Sequence, residues 1–303
     1  MSTFVKRLAL IIAAVVSLQP RAHACACGCN VFTVGARWTM PTGSGFSAYL
    51  QYNYMDQSRN WGGWSSASPD ANSDLEIRTH FYTLGAQFMV DRDWGIMAEA
   101  PVWNRFFKTT DDDGNIVSAT HTSFGDVRLM GVYTGLSEDM STGIQLGVKL
   151  PTGPFSESLL DRDTQIGTGT TDLLVGGYRM GQAGAWGWYA QVMWQHPFNS
   201  RDGYKPGDSF DASVGLHFDG LLGRLPLMPV VQVAGSFRGI DSGENADPDN
   251  TGYDRVYIAP GLQVLLSGRV SLYADVRIPV VTHVRGTQLV APALVNLAMG
   301  FGV

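Results

Sequence analysis

Apolar and polar residues alternate along much of this chain with a period of two. In segment 143–150, Ile144 and Leu146 occupy one set of positions, and Gln145 and Lys149 occupy the other. Successive side chains of a β-strand point to opposite faces, so this period predicts strands with one apolar and one polar face. The pattern is not helical, because a helix would repeat its apolar positions every three to four residues.

The same alternation recurs along the chain and predicts an all-β protein of about twelve strands, with a range of about 10–14 because boundaries are uncertain by several residues. The predicted strands lie near 46–56, 75–90, 94–107, 122–136, 141–150, 168–180, 186–198, 209–219, 227–238, 253–266, 269–282 and 288–303. The composition agrees with this: Gly is abundant (36 residues), aromatic residues make up 11% and charged residues only 16% of the chain.

The connections between the predicted strands alternate in length. Short ones occur at 91–93 and 267–268, whereas 57–74, 151–167 and 239–252 are long and polar. Transmembrane β-barrels have short periplasmic turns at one rim and longer extracellular loops at the other. We therefore predict an antiparallel transmembrane β-barrel, and a secreted β-sandwich is the alternative that alternation alone leaves open.

Aromatic residues support the membrane barrel over the sandwich. In segment 186–198, Trp186, Trp188, Trp194 and Phe198 share the parity of the apolar residues and lie near the two ends of the strand. Aromatic girdles flank the apolar band of membrane barrels at both interfaces. The strands are also long enough for a tilted crossing of the bilayer, which needs about 9–11 residues.

The first residues have the features of a secretory signal peptide. Lys6 and Arg7 precede an apolar run over 8–18, and Ala22-His23-Ala24 has the small–any–small pattern of a cleavage site. The run is shorter than the about 20 residues that a transmembrane helix needs.

These features divide the chain into three predicted parts: a cleaved signal peptide over 1–24, a Cys-containing periplasmic or plug segment over 25–45, and a barrel over 46–303. The predicted location is the outer membrane of a Gram-negative bacterium, with outer-membrane lipid and a small-molecule solute as partners. The net charge of −6 argues against a nucleic-acid partner, which would require a basic surface.

Three short segments resemble a known family. The pieces SFGDVRLMGVY (123–133), GVKLPTG (147–153) and GTGTTDLLVGGY (167–178) are similar to segments of the outer-membrane family named after the phenol meta-degradation pathway. That family is related to outer-membrane transporters of long-chain fatty acids and aromatic hydrocarbons. The resemblance covers roughly 95–180 and implies a barrel, passive passage of small and often hydrophobic molecules, and no catalytic residues.

If the apolar residues face lipid, the opposite positions line the barrel interior, where charged side chains can meet water or each other. The candidate pore-lining residues are Glu99, Asp126, Arg128, Lys149, Asp172, Asp211, His217, Arg255, Asp275 and Arg277. Because a wide aqueous channel needs 16–18 strands, we expect a narrow or plugged lumen. The segment 30–45 is a candidate plug, and the mixed charge predicts no strong ion selectivity.

All three cysteines, Cys25, Cys27 and Cys29, lie within five residues at the start of the predicted mature chain. Disulfides between neighbours in this segment would close very tight loops. Soft thiolates favour Cu(I), Zn(II) or iron–sulfur species, so the segment is a candidate soft-metal site, and acylation of Cys25 or an unspecific structural role are alternatives. No other cofactor is indicated.

Two further functions remain as alternatives to a pore. One is an accessory barrel in a surface complex that handles metal or electrons through the cysteines with a periplasmic protein partner. The other is an outer-membrane enzyme. We find neither a G-x-S-x-G nor an H-E-x-x-H motif in the sequence, and the histidines are scattered, so we predict a protein that is not an enzyme.

Overall fold

A computed structural model describes residues 39–223 and 225–302, which form fifteen β-strands. The predictions made for the signal peptide, for the three cysteines and for most of the segment 25–45 lie outside the described residues. Among the described residues, no helix is long and apolar enough to cross a membrane.

The strands follow one another with a single short 3₁₀-helix at Pro69–Ala71 among the described elements. They are β1 Gly45–Gln57, β2 Arg59–Gly63, β3 Ser65–Ser66, β4 Asp74–Met89, β5 Trp94–Thr110, β6 Ile116–Phe124, β7 Val127–Tyr133, β8 Thr142–Leu150, β9 Asp172–Ala183, β10 Trp186–Pro197, β11 Ser209–Phe218, β12 Leu227–Arg238, β13 Tyr253–Leu265, β14 Val270–Val290 and β15 Leu294–Gly302.

Twelve of these strands close into an antiparallel barrel: β1, β4, β5 and β7 to β15 each pair with the next, and β15 pairs with β1. The closing register joins Ser47 to Gly302 and Met55 to Leu294. Because β15 pairs with β1, the barrel wall has no free sheet edge between the first and the last strand. The predicted all-β barrel of about twelve strands is confirmed.

Most predicted strand boundaries lie within a few residues of those observed. The main differences are at the rim with long connections, where strands extend beyond the barrel. There β5 continues to Thr110 and pairs with β6, an additional strand that spans the predicted connection after 107 and the start of the strand predicted at 122–136. Similarly, β14 continues to Val290 and pairs with the short strand β2, so the predicted start of the last strand at 288 is wrong.

The outer face of the barrel is apolar. In β8, Ile144 and Leu146 are exposed, while Gln145 and Lys149, on the opposite face, are buried. The same holds for Leu272, Val276 and Ile278 in β14, and for the other barrel strands. Exposed apolar side chains in a continuous band are stable against lipid and unstable in water.

Aromatic side chains border this apolar band. Phe46, Phe88 and Trp94 are exposed near the rim with short turns, and Trp186 contacts Phe218 at the same rim, with ring centroids 4.8 Å apart. At the opposite rim, Phe198 is exposed beside the ring of His196. The positions match interfacial girdles and orient the short-turn rim toward the periplasm by the convention of such barrels.

Candidate functional site

The candidate site is the lumen of the barrel. We call the rim with long connections the upper rim and the short-turn rim the lower one. All ten charged residues that were predicted to line the pore project from inward positions of the barrel wall or of its upper rim. They are largely buried, with Glu99 and Arg128 the most accessible. Eight of them form three groups: one around Lys149, one around Glu99 and one around Asp275.

The first group is a buried cluster around the Lys149 ammonium. Lys149 Nζ lies 2.7 Å from Asp126 Oδ2 and 3.1 Å from Asp172 Oδ2, and it also donates to the hydroxyl of Thr168. Thr170 donates to Asp172 Oδ1 at 2.6 Å. Because two carboxylates share one cation, hydroxyl donors complete the solvation that water would otherwise supply.

The second group joins side chains from β1, β5 and β7. Glu99 on β5 accepts a hydrogen bond from the hydroxyl of Tyr49, and its other oxygen lies 3.9 Å from Arg128 Nη1 on β7. Arg128 also donates to Gln195 Oε1 at 3.2 Å, and Gln195 in turn donates to Asp172. Through this contact, the first and second groups form one continuous polar layer across the lumen.

The third group lies on the opposite wall. Asp275 Oδ2 accepts hydrogen bonds from Gln232 at 2.9 Å and from Asn296 at 3.1 Å, and Asp275 Oδ1 lies 3.5 Å from Arg277 Nε. Arg255 stacks on the ring of Tyr253 at 4.3 Å.

The two remaining predicted residues lie elsewhere on the inner face. Asp211 is buried on β11, at the position paired with Met193. His217 lies apart near the short-turn rim, where its Nδ1 is 2.7 Å from Asp219 Oδ1.

The loop between β8 and β9, residues 151–171, folds into the upper lumen. Asp126 anchors both of its ends, because Oδ1 accepts from the Gly153 amide at 3.0 Å and Oδ2 accepts from the Thr168 amide at 3.1 Å. Arg105 on β5 holds the middle of the loop by donating to the carbonyl oxygens of Thr164 and Gln165. We call residues 151–171 the inner loop.

Two further loops pack onto the inner loop. Arg162 lies over the ring of Tyr204, with its guanidinium carbon 4.4 Å from the ring centroid. Tyr204 donates to Asp241 Oδ2 at 2.6 Å, and Arg238 donates to both oxygens of Asp241 at 2.9 and 3.0 Å. This chain of contacts connects the β8–β9, β10–β11 and β12–β13 connections into one cover.

The cover contains a carboxyl group in an unfavourable environment. Removal from bulk water raises the pKa of Asp163 well above its usual value, and the nearby carboxyls of Asp161 and Asp241 raise it further. Arg238 acts in the opposite direction and lowers it. Burial likewise raises the pKa of the Tyr204 hydroxyl. The closed arrangement of the inner loop therefore favours a neutral Asp163.

Below the inner loop lies a cavity of about 140 Å³ with a mixed lining. Charged groups at its wall include Glu99, Arg128 and Lys149, and apolar rings are supplied by Phe81 and Trp103. A second, wider space of about 560 Å³ opens at the short-turn rim. In the part of the chain that the structure describes, the cover closes the upper end of the lumen, and the wider space, which we call the periplasmic opening, lies at the other end.

Between these two spaces, the lumen is lined by methionine and tyrosine. Tyr49, Tyr178, Tyr189 and Tyr273 are buried on the inner face. The expectation that inward positions are polar is therefore incomplete, because alternation by itself assigns apolar residues to lipid. Inward methionines and tyrosines often stand opposite glycines, such as Gly85 opposite Tyr49, and this pairing is the signal that sequence reasoning missed.

The predicted plug at 30–45 is described only from Thr39 onward. Thr39 and Met40 are buried at the short-turn end of the lumen, where Met40 packs against Tyr178 and Tyr189. The rest of this prediction stays untested. The upper lumen is closed by the inner loop, for which the sequence pattern predicted no such role. Among the described residues, no group of three or more His, Cys, Asp or Glu side chains is arranged to hold a metal ion.

Comparison with one solved structure shows the same fold, and two further structures are similar with lower scores. An outer-membrane channel from Pseudomonas putida F1 superposes with a TM-score of 0.65 at 11% identity, over 86% of this chain and 96% of that chain. The CymD monoaromatic hydrocarbon channel gives 0.44 at 10% identity, over 93% and 94%. The β-domain of the Bordetella autotransporter BrkA gives 0.46 at 12% identity, over 86% and 100%. No protein-family model and no curated protein sequence matches the chain.

Proposed function

We propose that this barrel is an outer-membrane channel for the passive passage of small solutes with substantial hydrophobic surface. The observation that carries the proposal is the inner loop, a polar closure seated in the upper lumen above a cavity and a periplasmic opening. A barrel that served only as a structural support would have no need of a lumen interrupted by a separate, hydrogen-bonded loop.

The lining of the lumen supports the choice of solute. Charged groups of both signs pair with one another around Lys149 and Glu99, so they present little net charge to a passing molecule. Phe81 and Trp103 beside the cavity, followed by buried tyrosines and methionines below it, offer polarisable apolar surface. Such a path suits a weakly polar organic molecule better than a hydrated ion.

The fold agrees with this proposal. The solved structure with a TM-score of 0.65 is described as an outer-membrane channel. Passage through this chain involves binding and release, with no bond-making chemistry. The proposed location is the outer membrane, where the apolar band would contact lipid.

The closure is expected to open by displacement of the inner loop. Its anchors are hydrogen bonds to Asp126 and Arg105, and each such bond contributes only about 0.5–3 kcal/mol net. Arg105→Leu removes the donor to Thr164 and Gln165 and keeps a side chain that packs in the wall. We expect the channel formed by this variant to be open for a larger fraction of the time than the parent channel.

The test is conductance in planar bilayers together with solute uptake into liposomes by swelling. The parent should show low conductance with rare openings, and Arg105→Leu should raise conductance and the uptake of weakly polar solutes. Arg78→Leu is the matched control, because Arg78 lies on the adjacent strand one position away from the partner of Arg105 but on the outer face, over Phe106. The proposal is wrong if neither parent nor Arg105→Leu conducts or takes up solute.

A further inference from the structure

Five methionines cluster in the lower lumen, beneath the polar layer and above the periplasmic opening. Among the described residues, they form one buried apolar cluster together with Val132 and Leu174. The five are Met89, Met97, Met130, Met140 and Met193. The chain has eleven methionines in total, so almost half of them share this one location.

The barrel register arranges most of this cluster in two adjacent rings of inward positions. One ring runs across β4 to β10 through directly paired residues, namely Met89, Gly95, Val132, Gln145, Gly176 and Met193. The other, immediately above it, consists of Gln87, Met97, Met130, Gly147 and Leu174. The thioethers therefore converge from neighbouring strands on one part of the lumen.

The choice of methionine is specific to the inner face. On the same strands, the exposed outer positions carry Ile96, Leu129, Leu146, Val175 and Val192. A requirement for apolar volume alone would be met by the same residues inside, and their stiffer side chains would pack better. What methionine adds is a polarisable sulfur with an available lone pair.

Glycines opposite the methionines give these sulfurs room. A Cβ atom added at Gly95 would lie 2.2 Å from Met89 Sδ, and one added at Gly147 would lie 2.5 Å from Met130 Cγ. At Gly176, an added Cβ would lie 3.1 Å from both Met193 Sδ and Gln145 Oε1. A thioether sulfur and an amide oxygen therefore approach the same point above Gly176.

Two buried amides in these rings point to a ligand. Gln87 and Gln145 are only 3% and 2% exposed. Neither side-chain amide has a hydrogen-bond partner in the part of the chain that the structure describes. A buried amide without a partner costs about 1–3 kcal/mol, so both oxygens are available to a bound species.

We propose that this cluster, together with Gln145, is a binding site for a soft monovalent cation, Cu(I) or Ag(I). Neutral thioethers are weak ligands for hard cations and good ligands for soft ones. The site is reachable, because Met89 also lines the periplasmic opening. The proposed site uses none of the three cysteines, and it does not depend on the proposed passage of organic solutes.

The test uses Ag(I), which needs no reductant, with the purified full chain in detergent. Cys25→Ser, Cys27→Ser and Cys29→Ser are introduced into every sample so that thiolates do not compete. Bound silver is measured by mass spectrometry after equilibration with free methionine as competitor. We expect saturable binding in this background and a loss of about tenfold or more in affinity when Met97→Leu and Met130→Leu are combined.

The control is Met55→Leu, a buried inward methionine that belongs to a different cluster in the upper lumen. Heat-modifiable migration confirms that each variant is folded. If a variant fails to fold, X-ray absorption of the Cu(I)-loaded Cys-free parent decides, because the site requires sulfur neighbours around the metal. The proposal would be overturned if the Cys-free parent showed no saturable silver binding, or if the double variant bound silver with the same affinity as that parent. It would also be overturned if the bound metal had only nitrogen and oxygen neighbours.

Discussion

Lys149 on β8 and Asp126 at the start of β7 form a buried ion pair of 2.7 Å, and the same Asp126 carboxylate holds both ends of the inner loop. One contact therefore links the barrel wall to the closure of the lumen. Because Asp172 shares the same ammonium at 3.1 Å, removing the lysine would leave two buried carboxylates facing each other.

The first prediction concerns this ion pair. We expect Lys149→Met to lower the free energy of unfolding by about 3–5 kcal/mol, since breaking a buried pair leaves uncompensated charge. Urea titration of the protein folded in lipid vesicles measures the change. The control is Arg92→Met, whose partner Asp93 and whose own side chain are exposed, and which should change stability by at most about 1 kcal/mol. Equal effects of the two substitutions would contradict the interpretation.

The second prediction concerns pH. The pKa of Asp163 is raised in the closed loop, so the neutral form stabilises closure. This contribution is fully present below the ordinary pKa of an aspartate and is lost as pH rises through the raised pKa. Channel conductance should therefore increase from acidic toward alkaline pH, and Asp163→Asn should remove that part of the pH dependence. This pH dependence is measured as the conductance of the parent and of Asp163→Asn in planar bilayers across a pH series.

Asp139→Asn is the control for this experiment. Asp139 lies in a short turn at the opposite rim, and hydrogen bonds from Ser141 lower its pKa, so it stays ionised throughout the same range. Its replacement should leave the pH profile of the parent unchanged. A profile that is identical in the parent and in Asp163→Asn would show that another group controls the closure.

The third prediction concerns the pairing of Tyr49 with Gly85. A Cβ atom at Gly85 would lie 2.1 Å from the Tyr49 ring, which is buried and hydrogen-bonded to Glu99. We expect Gly85→Ala to displace this ring and to cost about 1–3 kcal/mol. Gly131→Ala is the control, because Gly131 lies on the outer face and a Cβ atom added there would have the Leu146 carbonyl oxygen as its nearest neighbour, at 3.7 Å. Urea unfolding compares the two, and a larger loss for Gly131→Ala would refute the argument.

The fourth prediction tests the lipid-facing band. Leu146 lies in the middle of β8 and is 61% exposed on the outer face. Leu146→Arg should cost about 2–4 kcal/mol in a lipid bilayer, because the charge would lie near the midplane. Leu136→Arg, in the turn between β7 and β8, should cost at most about 1 kcal/mol. If both substitutions were neutral in vesicles, the band would not contact lipid.

The amino-acid sequence by itself determined the strands and the face that each presents outward. The alternation of Ile144 and Leu146 with Gln145 and Lys149 predicted both, because a one-residue shift would expose the buried set and bury the apolar set. Alternating connection lengths then distinguished a membrane barrel from a sandwich. These are local properties, since strand period and turn length act over a few neighbouring residues.

Only the tertiary structure decided what occupies the lumen. The contact of Arg105 with Thr164 spans 59 residues, and no local pattern indicates that the inner loop turns inward rather than outward. The methionine cluster could not be predicted from the sequence for a related reason. Alternation assigns apolar residues to lipid, and which thioethers converge from several strands depends on the register around the closed barrel. Closure sets which inward residues meet, and that is a property of the whole chain.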